Sequence, residues 1–192
     1  MTFQYPIMTP PFEVVHFEKM NKKQAQQHFE WFVSEIPSRL EILENVMKES
    51  GVEKIEQFDM TPQSLVPLWN WLKMRINTVP YSPDETKQLQ DTLPPWIFED
   101  IQNWKLDTPT IALAVDVSIY FGEVFIKKYP SLKWGFMTKP KSYVYINRPT
   151  IIEFKSGPLH PPTIVTNICS SYADGDSKKN LLSSFEVWEK FI

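Results

Sequence analysis

A chain of 192 residues with a 42% hydrophobic share has enough apolar surface to bury a substantial core in one domain. Its formal charge of −3, with arginine only at Arg39, Arg75 and Arg148, provides no basic face for a phosphate backbone, so no nucleic-acid partner is expected. Cys169 is the single cysteine, which excludes an internal disulfide, and the five glycines are too dispersed to form a phosphate-cradling loop.

The first fifteen residues lack a basic region followed by an apolar run, so a cytoplasmic location is expected. Apolar spacing predicts a helix from about Asn21 to Gly51 through Ala25, Phe29, Phe32, Ile36, Leu40, Leu43 and Met47, with a kink or break where Pro37 interrupts it. Thr61-Pro62, Ser82-Pro83 and Thr108-Pro109 each read as a hydroxyl N-cap followed by proline at the first helical position. They predict helices over 61–77, 83–92 and 109–128, and a short helix from Trp96 to Trp104 follows Pro94-Pro95. The near-apolar run from Ile111 to Ile126 is short for a bilayer span and carries two acids, so no membrane association is expected.

Beyond residue 130 the character changes. Segments 133–138 and 142–147 are rich in aromatic and β-branched residues and predict two strands joined by a hairpin loop, with a third strand over 150–154. Residues 163–172 suit either a helix or a strand, and a last helix begins near Leu181. The expected fold is a single α+β domain over 1–192. It is predominantly helical, with a long buried central helix and a small antiparallel sheet toward the C-terminus.

That central helix carries the most informative pattern. Asp116, Tyr120, Glu123 and Lys127 lie at i, i+4, i+7 and i+11, a single polar stripe on an otherwise apolar rod. Lone buried charges are costly, so the stripe needs internal partners, and an Arg fork from Arg39 or Arg75 is the expected partner for Asp116 or Glu123. The two acids stand roughly 10 Å apart along the axis. That is a poor fit to the roughly 5–9.5 Å separations of paired glycosidase carboxylates.

Nothing else in the chain forms a catalytic motif. His16, His28 and His160 lack the spacing of a zinc site, so no metal and no cofactor are expected. His28 is expected on a helix surface, His160 in a proline-flanked loop, and Cys169 as a small buried hydrophobe. Trp69 and Trp71 flank Asn70, so one is expected inside and one outside. With seven tryptophans and thirteen phenylalanines, an aromatic-heavy core is the first expectation for any one of them, and at least one exposed cluster is expected, which would mark a partner surface.

The run Asp116-x-x-x-Tyr120-x-Gly122-Glu123-Val124, followed by Lys133-Trp134-Gly135, resembles a pattern in small bacterial proteins of unknown function. Phe29-Glu30-Trp31-Phe32 and Ile36-Pro37-Ser38-Arg39 resemble uncharacterised proteins of Bacillus-like bacteria. The resemblance touches about half the chain and brings no established activity. Some similar small acidic proteins accompany secreted toxins as immunity proteins, which implies a protein partner. Two functional expectations follow. The first is a non-catalytic protein-binding or immunity-type protein that masks a protein partner. The alternative is an enzyme or small-molecule binder with a cleft around Arg39, Asp116, Tyr120 and Glu123. Trp134 is the further candidate for binding.

Overall fold

The structure, a computed structural model, describes residues 4–192. Among these, seven α-helices are interspersed with four short strands. The fold is α+β, with α5 (Thr108–Lys128) buried at its centre and packed against α6 (Pro161–Ala173) and α1 (Lys22–Glu49). α5 has the length and apolarity of a bilayer span, more than the sequence estimate allowed, but most of it is buried inside this protein. One apolar cluster draws on α1, α2 (Leu65–Leu72), α5, α6 and α7 (Leu181–Glu189), with Phe125 stacked on Phe185 at 4.2 Å.

Local chemistry explains most element ends. Asn21 starts α1 through a reciprocal capping box with Gln24, and Ser82 does the same with Glu85 for α3 (Pro83–Thr92). For α5 the cap is Asp107, whose carboxylate accepts from Thr110 N, rather than the expected Thr108. Thr61 makes no side-chain cap, and the expected helix over 61–77 is instead α2 with a 3-10 turn at each end. α1 runs unbroken through Pro37. Pro37 faces solvent, so water can satisfy the carbonyl it leaves free, while Phe32, Ile36, Arg39 and Leu43 hold the opposite face.

The sheet content differs from expectation. β3 (Lys133–Gly135) pairs antiparallel with β4 (Thr150–Ile152), with Trp134 opposite Ile151. A second pair, β1 (Thr78–Pro80) with β2 (Trp104–Leu106), lies earlier in the chain, and its second strand begins at Trp104, the last residue of the expected fourth helix. That helix, α4, is reduced to Pro95–Phe98. Residues 142–147 form turns, not a strand. Asn147 adopts a left-handed conformation, and its side-chain amide donates to Phe17 O at 2.7 Å, which ties this loop to the N-terminal segment. Residues 163–172 belong to α6, whose N-cap is His160. Trp69 and Trp71 are both buried, the latter donating its indole N–H to Ser50 Oγ.

Each member of the polar stripe holds a crossing segment, Tyr120 and Lys127 sharing the loop before α2. Asp116 is fully buried and accepts from Arg39 Nε at 2.8 Å and Tyr5 Oη at 2.6 Å. Arg39 also donates to Pro6 O at 2.7 Å, so the extended N-terminal arm is tied down at two successive residues. Ser64 donates its proton to Thr61 O, so the Tyr120 hydroxyl donates to Ser64 Oγ while accepting from Met60 N. Glu123 accepts from the Trp134 indole N–H at 2.7 Å. Lys127 donates to Asp59 O at 2.6 Å. Gly122 permits the Trp134 contact, because a Cβ there would stand 2.5 Å from the indole ring.

Replacing Arg39 with methionine leaves the Asp116 carboxylate buried with only Tyr5. The expected cost is about 3–5 kcal/mol, or a melting-point loss of roughly 6–20 °C for a chain of this size. Limited proteolysis of the same variant should cut within residues 4–16 faster than in the native chain. An unchanged melting point would mean that the pair does not hold the fold.

Candidate functional site

Among the described residues, the arm pinned by Asp116 forms one wall of an apolar cleft of about 480 Å³. Pockets for small organic ligands run from roughly 300 to 1,000 Å³. The floor is a second stripe of α5: Thr108, Ile111, Ala112 and Val115, at i, i+3, i+4 and i+7. At about 100° per residue, this stripe lies about a quarter turn round the helix from the polar one. His28, Trp31 and Phe32 of α1 form one side, and Ile7, Met8, Val14 and Phe17 of the arm form the other. Arg148, Pro149, His160 and Pro162 close the back.

The three ionisable side chains at this cleft differ in state. His28 is only 7% exposed, and its Nδ1 has no hydrogen-bond partner. Burial, followed by the nearby Arg148 charge, holds this imidazole below its ordinary range. Its ring meets Phe17 and Trp31 edge to face, at 4.9 Å and 5.4 Å. His28 therefore belongs to the inner stripe of α1 rather than its surface. The pattern was visible in the sequence, since residues 28, 32, 36, 39 and 43 repeat at helical spacing.

His160 caps α6. Its Nδ1 accepts from Thr163 N at 3.3 Å and lies 2.8 Å from Thr163 Oγ1, so the neutral ring carries its proton on Nε2. Tyr145 stacks on it at 4.5 Å. Burial and then Arg148 lower its pKa to about 4. Arg148 lays its guanidinium over Phe17, 4.3 Å from the ring centre.

The residues singled out from the sequence sit elsewhere. Arg39 and Asp116 meet as expected, behind the arm, where burial raises the carboxyl against the opposing pull of Arg39 and Tyr5. Tyr120 and Glu123 face the crossing segments, with Trp134 bonded to Glu123, and none of the five lines the cleft. Arg75 is laid over Trp71 and donates to Trp71 O, away from both acids. Cys169 is enclosed in the core, where burial pushes its thiol up to about 12, far from thiolate chemistry at neutral pH.

No protein-family model, curated protein or solved structure matches this chain. The functional reading therefore rests on the residues themselves.

The neutral His160 cap makes stability depend on pH. The folded chain keeps the ring unprotonated down to about pH 4, whereas the unfolded chain takes up a proton near 6.5. Between those values the unfolded state binds more protons, so stability falls as pH drops, by up to ~3 kcal/mol from this group. Below about pH 4 it contributes no further loss. His160→Asn keeps an N-cap acceptor without the titration. Urea denaturation at pH 7 and pH 4.5 should show a smaller acid penalty for this variant than for the native chain. Equal penalties would refute the assignment.

Proposed function

We propose that this protein is a binding protein whose ligand is a small, largely apolar molecule held in the cleft between the N-terminal arm, α1 and α5. The observation that carries this reading is the cleft itself: a mostly apolar space of about 480 Å³ with a buried His28 whose Nδ1 has no internal partner. Buried polar atoms are normally satisfied, and among the described residues this exception, on a side chain that lines the cleft, is where a ligand or a water would complete the site. Of the two expectations drawn from the sequence, the small-molecule one is favoured, with its site moved from the polar stripe to the neighbouring face of α5. The stripe's hydrogen bonds are already spent on holding the arm, the loop before α2, and β3.

The uncharged fluorophore N-phenyl-1-naphthylamine tests this directly. Its emission should rise saturably with the native chain. Ile111→Trp, a change at a partly exposed floor position, should weaken the dye at least tenfold while leaving the fold intact by circular dichroism. Absence of saturable binding to the native chain would reject the reading.

A protein partner remains the second reading, and a separate feature favours it. Residues 81–103 leave the β1–β2 pair as an excursion in which neither α3 nor α4 buries a residue. The excursion carries five acids against Lys87 alone, and Trp96 is 69% exposed at its tip. Such a surface suits a partner with a basic face. Salt-sensitive capture of one basic protein by the native chain, abolished in Trp96→Asp, would support it. Capture unaffected by that change would count against it.

A further inference from the structure

We infer that the ligand of the cleft is a single-headed organic carboxylate with an apolar body, its head group held by Arg148. This inference rests on the binding reading above and adds the chemical class.

Arg148 is half-buried at the back of the cleft, and no carboxylate among the described residues lies within ion-pair distance of its guanidinium. Among the described residues its close partner is the Phe17 ring face, which leaves the in-plane N–H donors without a carboxylate. Glu13 and Glu18 line a neighbouring groove that also touches Arg148, yet neither reaches it as an ion pair. An Arg fork presents parallel N–H donors that match the two oxygens of a carboxylate, and stacking on an aromatic ring fixes the plane of the fork.

The surroundings sharpen the choice. Both imidazoles at the cleft are neutral at pH 7, and the Arg148 charge contributes to holding them so, after burial. The cleft therefore contains one fixed positive charge and no fixed negative one among its lining residues. A cationic ligand would meet repulsion there, and a neutral one would leave Arg148 unneutralised. An anionic head satisfies it, with the His160 Nε2–H as a further donor at the same end. The remainder of the lining, from Met8 and Val14 across Ile111 to Trp31 and Phe32, is apolar and demands an apolar body. Carboxylate fits better than phosphate because a single guanidinium supplies one fork, enough for a single charge.

Isothermal titration calorimetry of the full chain with decanoate, decan-1-ol and decyltrimethylammonium separates the contributions. The expected order is decanoate tightest, decan-1-ol at least tenfold weaker and decyltrimethylammonium weakest. Arg148→Met should bring decanoate down to the level of the alcohol. Arg148→Lys, which keeps the charge but not the fork, should fall between them and serves if the methionine variant does not fold. Equal affinity for decanoate and decan-1-ol on the native chain would overturn the carboxylate assignment while leaving the apolar cleft as a binding site. Failure of all three probes, with failure of the neutral dye, would overturn both.

Discussion

The arrangement of this molecule depends on one buried ion pair. Asp116 sits on a rod that is otherwise apolar, and burying a carboxylate there is tolerable only because Arg39 and Tyr5 complete it. The need to satisfy that charge fixes which face of α1 meets α5. It also draws in the N-terminal arm, since Arg39 donates from a terminal nitrogen to Pro6 O. A segment without regular structure thus gains a defined path along the outside of two helices. The space it leaves against them is the cleft.

The stripe and the cleft are two faces of one helix with complementary duties. Polar residues at 116, 120, 123 and 127 act as fasteners for the arm and α1, for the loop before α2 at two points, and for β3. Smaller and apolar residues at 108, 111, 112 and 115 leave room beside them. The loop carrying Arg148 is fastened independently, through the Asn147 amide on Phe17 O, which sets the guanidinium at the end of the space that the arm encloses. Positions far apart in sequence therefore meet at one site because each is tied to the same N-terminal stretch.

This division also explains what could be read from the sequence. Helix starts governed by local chemistry, such as Asn21 with Gln24 and Ser82 with Glu85, were legible, as were the central helix and the pairing of Asp116 with an arginine. Those signals lie within a few residues or follow from the cost of burying charge. The cleft was not legible, because one wall comes from residues 5–17, where no periodicity exists, and the back comes from a loop whose alternating aromatics imitate a strand. Tyr143 and Tyr145 use their rings on each other and on His160 rather than in a sheet. His28 could have been placed inside by its spacing from Phe32 and Ile36, but a histidine amid glutamines reads locally as surface.

The single cysteine has a practical corollary. Cys169 lies on α6 with no solvent exposure, and its thiol stays protonated at neutral pH. Alkylating reagents and oxidants can therefore reach the sulfur only when α6 parts from α5. Any adduct formed there is a record of transient opening rather than of surface reactivity, so the chain carries an intrinsic gauge of how often its interior breathes.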